Sequence, residues 1–147
     1  MAGFGCSLTV LSQDCDLAQD HAARESGDIG GAIPSILFCE VETAEQLLSN
    51  IQGRDIKKRI QQNSDERYQF LQRIPVECDA LRQGLPELGI DFRRYFTLPA
   101  EEVYFQITRD AKRRCHLVSP YLEHISARFT RYLGRVGLPL DHQSEPQ

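Results

Sequence analysis

The sequence predicts an α+β fold, a small curved or barrel-like, mainly antiparallel sheet packed with short helices and a C-terminal amphipathic helix. Three observations predict it. Short β-rich runs alternate with short helical stretches, without the regular spacing of βαβ units. Two segments carry capping-box spacing, Asp16 with Gln19 and Thr43 with Gln46, each ahead of a short apolar pattern. A C-terminal stretch repeats apolar residues with helical period.

Taken in order, residues 7–12 are apolar and β-rich and read as a strand. Asp16 then caps a short helix over 17–24, and the glycines of 26–31 mark a turn. A second strand is expected over 33–41. Thr43 starts a helix with Leu47, Leu48 and Ile51 as its apolar stripe, ending at Gly53. Another helix follows over 55–62, with Ile56 and Ile60 on one side, and residues 63–65 break it. Residues 67–74 read as a third strand, and 75–89 carry no clear period. Residues 90–98 alternate imperfectly but are aromatic enough for a strand, and 100–107 fit strand or helix equally. Ser119 as N-cap and Pro120 at the first helical position open the last helix, with Leu122, Ile125, Phe129 and Tyr132 or Leu133 along its stripe to Gly134. The expected organisation is one domain over 1–140 and a flexible tail over 141–147.

At 147 residues, 41% hydrophobic and 26% charged, the chain has ordinary globular composition. A domain of this size buries roughly 68–70% of its unfolded surface and needs no staple. No apolar run is long enough for a membrane span, and no base precedes the apolar N-terminal stretch as a secretory signal would require. The five cysteines form no CxxC pair and read as reduced thiols, so the expected location is the cytoplasm and no membrane partner is expected. Charge is uneven: residues 1–50 carry eight acids and one base, while residues 51–147 carry sixteen bases and thirteen acids. The pI of about 5.6 argues against generic coating of nucleic acid but leaves room for a local basic groove.

The most unusual local chemistry is Asp14-Cys15-Asp16, just past the first strand. If that backbone is extended, Asp14 and Asp16 share a face and would hold a divalent cation through oxygen ligands. Cys15 is a weaker nucleophile there, because flanking anions raise a thiol's pKa; it would need His21, His116 or an arginine nearby. The same residues also read as structure, with Cys15 in the core, Asp16 capping a helix and Asp14 closing a turn. Cys15, Cys39, Cys115 and His116 would have to converge to hold zinc, without the close ligand pairs such sites show. A nuclease set can be assembled from Asp14 or Asp16, Glu40 and Asp55-Ile56-Lys57, although Asp55 serves equally as a helix cap.

Basic residues supply the second candidate surface. His124, Arg128, Arg131 and Arg135 line one side of the C-terminal helix, Arg109, Lys112, Arg113 and Arg114 precede it, and Arg93 and Arg94 adjoin Tyr95 and Phe96. Guanidinium groups for phosphates and aromatic faces for unpaired bases are what a phosphate-rich partner needs. A solvated helix face, with cations favoured near its C-terminal end, accounts for the same pattern. Arg54, Lys57, Lys58 and Arg59 form a separate basic group.

The segments VLSQDCDLA, DERYQFL, IDFRRYFTLP and SPYLEHISARFTRYLGRVGLP together resemble a set of bacterial proteins with a Ser-Gln-x-Cys-Asp-Leu segment after a strand and an Arg-Val-Gly-Leu-Pro tail. More remotely, the opening strand and polar turn resemble the SH3-like barrels of PemK/MazF-type toxins. That second resemblance implies a closed barrel and ribonuclease activity; the early Arg and Pro signature of that type is absent, and 43–62 would be an insertion.

The leading expectation is a bacterial binding module of a toxin–antitoxin, mobile-element or defence-type assembly, engaging protein or nucleic acid through the basic C-terminal helix and Arg93-Arg94. The alternative is a metal-dependent nuclease or other phosphodiester-cleaving enzyme centred on Asp14, Cys15 and Asp16, with a divalent metal as cofactor. Homo-oligomerisation through a sheet or helix face is a further expectation.

Overall fold

Strand β2 (Ser35–Thr43) organises the sheet because it is apolar on both sides. Leu37, Cys39 and Val41 point to one face and Ile36 and Phe38 to the other, as period-two alternation dictates, and both faces are covered. β1 (Ser7–Val10) pairs antiparallel with one edge of β2 and β4 (Leu88–Pro99) with the other. β3 (Tyr68–Leu71) pairs antiparallel with β4, giving the order β1-β2-β4-β3. This computed structural model describes residues 7–135, and the tail expected over 141–147 lies outside them.

The fold is α+β, as the sequence predicts, and the sheet is open rather than closed into a barrel. Closure needs edge strands that can pair along their length, and β1 and β3 are only four residues each. Helix α5 (Tyr121–Leu133) lays Ile125 and Phe129 over Leu11, Cys39, Ile90 and Phe92 on one face. The opposite face is covered by Leu17 of α1 (Asp14–Ser26) and by Ala100 and Val103 of α4 (Ala100–Arg109), packed on Ile36, Phe38, Phe96 and Leu98. α2 (Ala44–Ser49) and α3 (Arg54–Gln61) make a third cluster, Leu47 and Ile60 against Tyr68. Among the described residues, no helix is long and apolar enough to cross a membrane.

Local chemistry explains most boundaries. Thr43 forms the expected capping box: its hydroxyl accepts from the Gln46 N–H and the Gln46 side chain accepts from the Thr43 N–H. The helix expected from residue 17 instead begins at Asp14 with Gln13 at the N-cap, so Asp16 is inside the first turn and caps nothing. Gly53, not Asp55, takes the N-cap of α3, at a φ of 96° that favours glycine. Pro120 is the N-cap of α5 rather than its first helical residue, because its carbonyl accepts the first helical bond from the His124 N–H. The ambiguous 100–107 segment is helix, since Ala100 and Val103 find apolar partners at helical spacing. The third strand is shorter than expected, ending at Leu71.

Three buried aspartates hold the irregular segments. Asp20 of α1 accepts from Arg24, from the Tyr104 hydroxyl of α4 at 2.8 Å and from the Ile33 N–H at 2.9 Å. Asp79 takes both arms of Arg114 at 2.7 Å and the backbone N–H groups of Leu81 and Gln83, tying the 76–83 loop to the segment before α5. Asp91 takes both arms of Arg67, at 2.9 and 2.6 Å, and the Arg93 N–H. Burial by itself would raise the carboxyls of Asp20 and Asp91, but their hydrogen bonds outweigh it and leave both below the ordinary 3.8; Asp79 lies lower still, held down chiefly by Arg114.

Two outcomes follow. These depressed carboxyls contribute stability that is complete above pH 3.8 and is lost as the pH falls through their lowered folded values. Asp79→Asn should therefore lower the melting temperature at neutral pH and flatten its decline below about pH 4, read by thermal denaturation across about pH 2–5. Gly89 is buried beneath α2, where an added Cβ would stand 3.2 Å from the Cβ of Leu47 and closer still to its Cδ2. Gly89→Val should cost about 1–3 kcal/mol in chemical denaturation, because two packed elements would have to part.

Candidate functional site

The functional geometry begins with a defect in the central pairing. Cys39 faces Tyr95 and Val41 faces Ile90, so residues 91–94 of β4 stand opposite the single residue Glu40. Such a bulge bends the strand and re-aims its side chains. Phe92 is driven into the core with 0% exposure, while Arg93 is turned to solvent. Asp91 stabilises the bulge by accepting from the Arg93 N–H at 3.1 Å and by gripping Arg67, whose carbonyl accepts from the Phe92 N–H at 3.0 Å. After the bulge, Tyr95 returns to the α5 face and meets Phe129 edge-on, with ring centroids 5.3 Å apart.

An open cleft of about 500 Å³ results, between the bulge and the C-terminal end of α5, lined by Arg67, Arg93, Tyr95, Tyr132, Leu133 and Arg135. Tyr95 is 46% exposed, so its ring is presented rather than buried. Arg67 lies 4.6 Å from the centroid of the Tyr68 ring and Arg135 5.7 Å from that of Tyr132. Arg67 pairs with Asp91 and Arg135 with Glu66, which leaves Arg93 as the lining cation with no ion-pair partner among the described residues. The cleft thus sets planar rings beside one guanidinium outside ion-pair distance of any carboxylate among the described residues and two that keep unused N–H donors.

The structure places the sequence-predicted residues differently from one another. Arg93 and Arg135 come together in the cleft. Arg94 points away and is neutralised by Glu40 and Glu42. His124 and Arg131 are exposed on α5. Arg128 is not a surface cation: it turns inward and donates to the carbonyls of Asn63, Asp65 and Tyr68 at 2.7, 2.6 and 2.7 Å. The basic row read along the C-terminal helix is therefore split, one arginine serving as an internal clamp. Arg114 is likewise engaged by Asp79.

Asp14, Cys15 and Asp16 occupy the first turn of α1, exposed. The shared face inferred for the two carboxylates required extended backbone; in a helix, residues two apart point in different directions. Negative charge is favoured at that helix end by the dipole. Among the described residues, the Cys15 thiol reaches the Gln13 side chain at 3.6 Å and the Asp16 carboxylate at 3.8 Å. Cys39 is buried, its thiol at 3.3 Å from the Asp91 carbonyl, and burial pushes it up to about 12, so it is inert as a thiolate donor. Among the described residues, no three His, Cys, Asp or Glu side chains are grouped to hold a metal ion. Asp55 and Lys57 sit on α3, which packs through Ile60 against Tyr68 of β3, whereas Asp14 opens α1 and Glu40 lies on β2.

Sequence reasoning did not single out Arg67, nor Tyr95 and Tyr132 as a pair. A signal was there: the chain contains three Arg-Tyr dipeptides, Arg67-Tyr68, Arg94-Tyr95 and Arg131-Tyr132, and each contributes one residue to this cleft. No protein-family model, curated protein or solved structure matches the chain.

The Arg128 clamp can be tested directly. Arg128→Met keeps much of the side chain's volume but removes three charge-assisted hydrogen bonds. It should destabilise the protein by about 2–4 kcal/mol, read by urea denaturation.

Proposed function

We propose that this chain is a binding module for single-stranded nucleic acid, received in the cleft between the β4 bulge and α5. The observation that carries the reading is the convergence of Arg67, Arg93 and Arg135 with the rings of Tyr95 and Tyr132 around one open cavity of about 500 Å³. Phosphates would lie against Arg93, with Arg67 and Arg135 adding their free donors, and a base would stack on Tyr95 or Tyr132. Stacking is tolerant of sequence because every base has a π-face, and it requires bases that are not already paired. The acidic balance of the whole chain, with a pI of about 5.6, favours a local groove over the broad cationic surface that coats duplexes. Compared with the expectation of a basic helix, the ligand surface moves to the junction of β4 and α5, with α5 contributing Tyr132 and the residues just after it contributing Arg135.

Fluorescence anisotropy with labelled homopyrimidine DNA and RNA oligonucleotides tests this reading. The wild-type protein should bind with an affinity that falls as salt rises. Arg93→Ala combined with Tyr95→Leu should weaken binding by about tenfold or more, since one lost base–aromatic stack alone is worth about 1–3 kcal/mol. Melting temperature serves as the control: Arg93 is exposed and unpaired, and leucine keeps an apolar contact with Phe129. Unchanged affinity in that variant would sink the cleft as the binding site.

A further inference from the structure

Helix α3 carries a second concentration of positive charge that the cleft does not use. Arg54, Lys57 and Lys58 stand at i, i+3 and i+4, with Gln61 one turn further, and so share one face. Ile56 and Ile60 lie on the opposite side, and Ile60 is fully buried against Leu47 and Tyr68, which fixes the basic face outward. None of the three cations has an ion-pair partner among the described residues, whereas their neighbour Arg59 pairs with Asp65 at 3.1 Å. Like charges at this spacing destabilise a helix, so an anionic partner relieves a repulsion the fold leaves in place. With Asp55 and Gln61 the three border an open concavity of about 630 Å³.

The position of this face relative to the cleft is set by a short, pinned connection. α3 ends at Gln61, and the chain reaches Arg67, a cleft residue, six positions later. Arg59 holds Asp65 from one side, and Arg128 holds the carbonyls of Asn63 and Asp65 from the other. The Asn63 side chain also bonds both the N–H and the carbonyl of Phe70. α3 packs with Leu47 and Tyr68 on the sheet face opposite α5, so a ligand spanning the two surfaces passes round the edge strand β3 along this pinned connection.

We infer that the strand received in the cleft continues onto α3, with successive phosphates against Arg54, Lys57 and Lys58. The inference rests on the cleft reading and adds to it a longer site. A nucleic-acid backbone suits this face better than an acidic protein does. The face bordering the concavity consists of three cations, Gln61 and the flanking Asp55, without the apolar, charge-depleted centre that protein interfaces bury.

The test compares fluorescein-labelled oligothymidylates of about 4 and about 16 nucleotides, lengths that bracket common single-strand site sizes. Three proteins are titrated: wild type, Arg54→Gln/Lys57→Gln/Lys58→Gln, and Arg93→Ala/Tyr95→Leu. Glutamine keeps helix propensity close to that of lysine, and matched melting temperatures confirm folding. The triple variant should bind the short oligomer like wild type and the long one about tenfold or more weaker. Its slope of log affinity against log salt should be shallower by about 2, from three lost phosphate contacts. An unchanged long-oligomer affinity and slope would overturn the inference and leave the cleft reading standing. Loss of both oligomers in the triple variant, with none in the cleft variant, would overturn the cleft reading and the continuous path together. Capture of an acidic polypeptide with no oligomer binding by wild type would overturn both as well.

Discussion

The Arg128 guanidinium, closed onto the carbonyls of Asn63, Asp65 and Tyr68, joins the last helix to the loop between α3 and β3. Without it, α5 would rest on the sheet chiefly through apolar contacts, which are non-directional and do not fix how far a helix slides or turns, with the exposed Arg135–Glu66 pair just past its end. With it, the register of α5 is set by three short hydrogen bonds to a carrier that is always charged. The cost is visible in the same residue: its Nε is buried without a partner among the described residues, and burial pulls its basicity below the ordinary value. Everything that lies between β4 and the C-terminal turn of α5, including the cleft, depends on that register.

The same device recurs elsewhere. Asp20, Asp79 and Asp91 each combine a buried carboxylate with an arginine and with at least one backbone N–H. Each holds a stretch that neither helix nor ladder would hold: the turn before β2, the loop after β3, and the bulge of β4. A buried carboxylate with all of these donors is stable where an unpaired one would not be. The bulge matters most for the cleft, because it turns one strand into both core and cleft wall within four residues. Phe92 fills the interior beside Phe129, with ring centroids 5.6 Å apart, while Arg93 faces outward.

Much of the architecture was legible before any coordinates. The Thr43–Gln46 spacing specified a helix start to the residue, because a capping box is satisfied by side chains within one turn. The stripe of Ile125, Phe129 and Tyr132 marked the core side of α5, because burial of an apolar face is written in a helical period. The imperfect alternation over residues 90–98 was itself a trace of the bulge: Ile90, Phe92 and Tyr95 share a face only because extra residues intervene. The shared face of Asp14 and Asp16 was conditional on extended backbone, and α1 begins at Asp14 instead; extended and helical backbone send residues two apart in different directions.

What the sequence by itself determined was the set of elements, the α+β class and the supply of arginines and tyrosines from which a cleft can be built. What tertiary structure decided was the fate of each arginine. Arg93 has no ion-pair partner among the described residues, Arg94 is neutralised by Glu40 and Glu42, Arg114 is held by Asp79, and Arg128 is turned inward, although nothing in their immediate neighbours distinguishes these outcomes. Helix and strand signals act over a few residues, so they survive in the sequence. The partner that claims a guanidinium must come within about 3 Å, and here it arrives from as far as 69 positions along the chain, as Glu66 does for Arg135.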